Sequence, residues 1–268
     1  MYKTYFYRAL LPVLLGTIFC RCSSVLTEND ITSIPVYSNE NFKYIPGEIL
    51  DFEVEAGLLR VGEVRMEVRT NIDTIQGKGC AVIIASAASR KGLAFISKIK
   101  HNWTSWIDTS LGRTLQVERE ATENNYQTAQ KVWFYPDSQI VFQKETDHST
   151  KPPFRAKVKP NQMYDLINVI WQLRYTKFEN YKPGDTLRYI AYFDRQWLHF
   201  NVRYKTIANW KSGRRKTKAM VLQILGVHSR YLRGENPVEV WIESTSQRKP
   251  LKIRIASYLG SLEVKLKP

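Results

Sequence analysis

The chain has 268 residues, with 40 Lys and Arg against 25 Asp and Glu, for a formal net charge of +15. A content of 43% apolar and 12% aromatic residues is enough for a sizeable core and excludes a disordered chain. The positive excess favours anionic partners such as lipid head groups, acidic glycans or nucleic acid.

Met1 to Arg8 carries Lys3 and Arg8 and no acid, and an eleven-residue apolar run, Ala9 to Phe19, follows. A basic flank, a short apolar stretch and small residues after it predict a secretory signal over residues 1–22. A bilayer span needs about 20 apolar residues, so this run is too short to cross, and no later stretch approaches that length. The expected address is the cell envelope, either periplasmic or anchored to the outer membrane. Export makes nucleic acid the least accessible anionic partner, so none is expected. Removing the signal, with Lys3, Arg8 and Arg21, leaves a charge of +12.

Cys20 and Cys22 are the candidate sites of lipid attachment, and membrane association is expected only if one of them is lipidated. Phe19 and Arg21 stand where a lipoprotein signal has small residues, while Cys-Arg-Cys also suits an ordinary signal peptidase. Cleavage after Cys22 leaves Cys80 as the sole cysteine. It is expected to be a buried, inert thiol without a disulfide partner.

Residues 23–41 read as a polar tether, and 42–268 as a single β-rich domain. In Leu50-Asp51-Phe52-Glu53-Val54-Glu55 the apolar and acidic residues alternate, the mark of a strand with one wet face. Gly57 and Gly62 punctuate a turn or bulge over Ala56 to Val61 before a second strand at Val64, Met66 and Val68. Short strands continue through Ala81 to Ala85, Phe95 to Trp106, Thr114 to Glu120, Val132 to Phe134 and Ile140 to Phe142. No long helix separates them, so they form an antiparallel meander rather than βαβ units. Over Asn161 to Phe178, Leu166, Val169, Ile170 and Leu173 recur at helical spacing between Pro160 and Pro183-Gly184, predicting a helix buried against a sheet.

Strands resume at Leu187 to Phe193 and Leu198 to Tyr204, joined by a tight turn at Asp194-Arg195-Gln196. They continue at Lys218 to Leu225, Val238 to Glu243, Leu251 to Ala256 and Tyr258 to Leu266. The basic stretch between Arg195 and Lys218 holds Arg195, Arg203, Lys205, Lys211, Arg214, Arg215, Lys216 and Lys218 and no acid, interleaved with Trp197, Tyr204 and Trp210. These eight residues are the candidate contact with an anionic surface, with a solvated hairpin tip as the plainer reading.

The order of segments resembles the bacterial DUF3108 family of exported proteins of unknown function. The residues that carry it are Pro46-Gly47-Glu48, Gly62, Tyr164-Asp165-Leu166-Ile167 with Leu173-Arg174, Pro183-Gly184-Asp185-Thr186-Leu187, Trp241-Ile242, and Arg248-Lys249-Pro250-Leu251 to Gly260. The resemblance covers about Phe42 to Lys267. It implies a mainly β fold, a strongly curved antiparallel sheet (an open or half barrel) around one central helix, in the envelope. It implies no reaction. One departure is the basic loop Trp210 to Lys216, which puts a surface function shared with the family in question there.

Catalytic chemistry finds little support. None of His101, His148, His199 and His228 stands three to five residues from another His or Cys, so zinc-type spacing is absent. Asp51, Glu53 and Glu55 read as a charged wet face. There is no Gly-x-Ser-x-Gly elbow and no phosphate-cradling glycine loop. The expected protein is non-catalytic, without cofactor or metal, binding an amphiphile in its concave side or an anionic lipid, glycan or envelope protein. The alternatives are an envelope enzyme acting on glycan or lipid, favoured by a pocket joining His101 or His199 to a carboxylate, and a scaffold in an envelope complex.

Overall fold

The computed structural model describes residues 42–90, 92, 98–147, 151–158, 163–213, 215–225, 232–258 and 260–268. The signal and tether readings, with Cys20 and Cys22, lie outside them, as do His148, Arg214 and His228. Nine strands come first: β1 (Ile49–Ala56), β2 (Leu59–Val68), β3 (Asp73–Ile75), β4 (Lys78–Ser89), β5 (Ile99–Asp108), β6 (Thr114–Glu123), β7 (Tyr126–Tyr135), β8 (Ile140–Glu145) and β9 (Phe154–Lys157). The helix α1 (Leu166–Tyr175) and a 3₁₀ turn at Phe178–Asn180 follow. Then come β10 (Thr186–Phe193), β11 (Gln196–Ser212), β12 (Arg215–Leu225), β13 (Val238–Glu243), β14 (Pro250–Ser257) and β15 (Gly260–Leu266).

All of these strands belong to one antiparallel sheet ordered β10-β11-β12-β13-β14-β15-β1-β2-β4-β5-β6-β7-β8-β9, with β3 beside β4. The last strand thus pairs with the first, Val54 opposite Val264, and the two edges of the sheet fall in mid-chain, on either side of α1. The sheet curves without closing into a barrel, as expected of an open barrel around one helix. Side chains, rather than a strand ladder, tie its edges. The Tyr192 hydroxyl donates to Gln143 Oε1 at 2.8 Å, the Arg195 guanidinium reaches Glu145 at 3.3 Å and the Pro152 carbonyl at 2.8 Å, and Phe154 lies against the Tyr192 ring.

Period-two alternation generates the core. Leu50, Phe52 and Val54 of β1 point inward beside Met66 and Val64 of β2 and Ala85 of β4. On the wet face Asp51 meets Arg65 at 3.7 Å, Glu53 meets Arg60 at 3.1 Å and Glu55 meets Lys265 at 2.6 Å. Such cross-strand pairs contribute about 0.2–1 kcal/mol each. Gly62 lies within β2 rather than between the strands. A Cβ there would stand 2.8 Å from the Ala88 carbonyl oxygen, so glycine is required by the close approach of β4.

The helix is shorter than the expected Asn161–Phe178 because its caps are placed inside that span. Asp165 is the N-cap, accepting from Asn168 N, and the Thr176 hydroxyl donates to the Gln172 carbonyl at the other end. Leu166, Ile167, Val169, Trp171 and Leu173 are all buried in the main core with Phe200 and Val202 of β11. The Asp165 carboxylate is also the anchor of the helix on the sheet. It accepts hydrogen bonds from Trp103 Nε1, Ser105 Oγ and Thr114 Oγ1, each at 3.0 Å, and burial pushes its pKa above the usual carboxylate range against the lowering effect of the Asn168 N–H and the Ser105 and Thr114 hydroxyls.

Candidate functional site, a basic arm

The segment expected to be a basic loop is strand. Strand β10 pairs with β11 only as far as Arg203, and β13 pairs with β12 only from Ala219 onward. Thr206–Ala208 pair with Ala219–Val221, which β13 still flanks, and beyond them Asn209–Ser212 and Arg215–Lys218 pair with each other alone, forming a two-stranded arm about 13 Å long at ~3.3 Å per residue. A register shift between Tyr204 and Thr206 lies where β11 leaves β10, below the root of the arm, and Gly213 at φ +56° turns its tip.

Alternation divides the arm into two faces. Trp210, opposite Thr217, is buried within the main core. The other face carries Asn209, Lys211, Lys216 and Lys218, with Lys211 directly opposite Lys216 and Asn209 opposite Lys218. The three lysines are exposed, and none has an ion pair among the described residues. A directly opposed like-charge pair is unfavourable by up to about 1 kcal/mol, and an acid at either position would remove that cost.

The structure separates the other candidate residues from this face. Arg195 sits in the β10–β11 turn, where its guanidinium closes the seam on Glu145. Arg203 is half-buried in the flanked part of β11, opposite Thr186 and Gln223. Lys205, at the register shift, is held by Glu239 at 2.7 Å. Arg215 opens β12 opposite Ser212. The eight-residue candidate set therefore contracts to Lys211, Lys216 and Lys218, with Arg215 and Arg214 at the tip by sequence.

A buried ion pair supports the root of the arm. Ser244 N donates to the Lys218 carbonyl, and the loop that follows Ser244 offers the Gln247 and Arg248 carbonyls to the Arg174 guanidinium at 3.2 and 3.0 Å. That guanidinium also forms two 2.7 Å bonds with the Glu48 carboxylate and lies 4.5 Å from the centre of the Trp171 ring. The side chains of Arg174 and Glu48 are 0% and 6% exposed. The start of β1, the end of α1 and the β13–β14 loop thus meet at one point, and the arm extends from the same end of the sheet at which the chain runs into β1. Sequence periodicity gave no sign of this pair, because its members stand 126 residues apart. The family resemblance did touch Glu48, Arg174 and Arg248.

The remaining reactive groups are poorly placed for chemistry. Cys80 is buried beside Val82, Trp106 and Leu115, and burial pushes its thiol up to about 11, with small opposing effects from neighbours. His199 is held below the usual imidazole range by partial burial and by the Arg188 charge. His101 does reach a carboxylate, Glu123 at 3.0 Å, but its register neighbours are Ala87 and Ala121. Among the described residues no group of three or more His, Cys, Asp or Glu could hold a metal ion, and no helix is long and apolar enough to cross a membrane.

No curated protein matches the chain. Among solved structures, the crystal structure of a beta-barrel-like protein of the domain of unknown function DUF1849 from Brucella abortus is similar in fold. It superposes with a TM-score of 0.52 at 7% identity, over 82% of this chain and 94% of that one. The family described as "Protein of unknown function (DUF3108)" matches residues 51–267, which take in the arm, α1 and both sheet edges, and the chain belongs to that family.

Proposed function

We propose that this is a non-catalytic protein of the cell envelope that binds an anionic surface through the basic face of the β11–β12 arm. The observation that carries the reading is the Lys211–Lys216 pair, set face to face with Lys218 beside it and no acid to neutralise them. Two other directly opposed lysine pairs, Lys131–Lys144 and Lys252–Lys265, have a glutamate beside them, Glu118 on Lys131 and Glu263 on both Lys252 and Lys265. An uncompensated local cost of this kind is expected at sites shaped by function. The arm is also rigid, because Trp210 fixes its inner face to the core. The amphiphile reading has less support, since the concavity around α1 is filled by side chains such as Trp171, Ile167 and Met163 at 0% exposure.

The ligand chemistry is a dense array of phosphate or carboxylate groups, as lipid head groups or acidic glycan present it. Each Lys near an anionic surface adds about 1 kcal/mol. Cosedimentation with phosphatidylglycerol vesicles, an insoluble acidic glycan and neutral phosphatidylcholine vesicles distinguishes the sources. Binding to either anionic material, weakened by Lys216→Glu while the fold gains up to about 1 kcal/mol of stability, is the expected result. Equal binding by wild type and Lys216→Glu would overturn the reading.

The enzyme alternative draws on one observation, the His101–Glu123 hydrogen bond. General acid–base work needs a reacting group within hydrogen-bond reach as well, and alanines flank His101 in the register.

A further inference from the structure

At the end of the sheet opposite the arm, two neighbouring hairpin turns present large apolar side chains to water. The β1–β2 turn is Gly57-Leu58, with Ala56 opposite Leu59 and Gly57 at φ +61°, a two-residue turn that takes glycine first. Leu58 at its apex is 102% exposed, and Leu59 is 52% exposed. The β14–β15 turn carries Tyr258 at 70%. Pairing of β1 with β15 and a hydrogen bond from Gly57 N to the Ser261 carbonyl at 3.2 Å hold the two turns side by side.

Turn apices are where polar residues are least costly, and Leu58 supports nothing in the fold. Basic residues surround the tips. Arg60 follows Leu59, the Arg90 amide donates to the Val61 carbonyl, and the Arg233 amide donates to the Ala256 carbonyl. The acids nearby are Glu53, paired with Arg60, Glu55 and Glu263, both paired with Lys265, and Glu235 in the same loop as Arg233. Two narrow convex tips cannot bury much area on a flat protein surface. A fluid lipid interface needs no matching shape, takes leucine into its acyl boundary and places tyrosine and arginine at the head groups.

We infer that the paired tips, Leu58 and Leu59 with Tyr258, form a lipid-inserting edge that docks on an anionic bilayer. This surface is distinct from the arm and goes beyond the reading above. The two are separable by salt: the arm acts through charge and is screened, whereas apolar insertion is not. The test is cosedimentation of the exported form of the protein with phosphatidylglycerol–phosphatidylcholine vesicles in 0.5 M salt. The wild type retains binding, and Leu58→Ser with Tyr258→Ser lowers the partition coefficient at least about tenfold, since each buried side chain of this size carries a factor of that order. Lys211→Gln with Lys216→Gln and Lys218→Gln leaves this salt-resistant binding unchanged. Because Leu58 and Tyr258 are exposed, the tip variant keeps the wild-type melting temperature, so a loss of binding is not a loss of fold. Undiminished binding by the tip variant, or no wild-type binding at 0.5 M salt, would overturn the inference.

Discussion

Replacing Arg174 by methionine tests whether the Glu48–Arg174 pair organises the end of the sheet from which the arm leaves. The change preserves much of the side-chain length but leaves the Glu48 carboxylate, 6% exposed, without its two 2.7 Å partners. It also removes the donors to the Gln247 and Arg248 carbonyls and the cation stacked on Trp171. Breaking one half of a buried ion pair costs about 3–5 kcal/mol, because the orphaned charge stays desolvated. For a domain of this size each kcal/mol moves the melting temperature by about 2–4 °C, so Arg174→Met should lower it by about 10 °C. Replacing both partners, Glu48→Leu with Arg174→Met, removes the orphaned charge and should recover most of that loss. Urea denaturation and calorimetry on the two single variants and the double measure the cycle. A single-variant cost below 1 kcal/mol, or a double variant no better than the singles, would refute the reasoning.

Other perturbations follow from the same structure. Gly62→Ala should destabilise by about 1–3 kcal/mol, because the 2.8 Å approach to the Ala88 carbonyl oxygen leaves the methyl group no room; an unchanged urea midpoint would show that β2 and β4 can part. Asp165 has a folded pKa raised by burial, so its contribution is fully present below the ordinary value of 3.8 and is lost as pH rises through the folded pKa. The stability of the wild type relative to Asp165→Asn should therefore fall with rising pH above 3.8 and then level off, and urea titrations between pH 3.5 and 7 that show a flat or rising difference would contradict this. With its thiol pushed up to about 11, Cys80 should resist iodoacetamide at pH 8 in the folded protein and react once urea unfolds it, as peptide mass mapping would reveal.

Alternation made much of the fold legible in the sequence. The β1 pattern, with Leu50, Phe52 and Val54 inward and acids outward, is set by local chemistry alone. The helix was legible as a stripe, but its true start at Asp165 depends on Trp103, Ser105 and Thr114, which the chain brings from far away. The arm was misjudged as a loop because its lysines and glycine resemble a solvated connection. Its strand character comes from Trp210 docking in the core and from cross-strand pairing. Strands β3 and β9, three and four residues long, are too short to show a period. Charge clustering pointed to the segment that forms the arm, yet the basic residues at 195, 203 and 205 could be set apart from it only once Glu145, Glu239 and the ladder with β10 were in place.

The most direct test of the anionic-surface function is a salt titration of binding to phosphatidylglycerol vesicles by the Leu58→Ser, Tyr258→Ser protein, which lacks the apolar tips, with and without Lys211→Gln, Lys216→Gln and Lys218→Gln. Three lysines at about 1 kcal/mol each predict binding about 100-fold weaker for the lysine variant near 0.1 M salt. The difference should shrink steeply as salt is raised. Equal affinity of the two proteins at low salt, or a difference that does not respond to salt, would contradict a surface bound by the basic face of the arm.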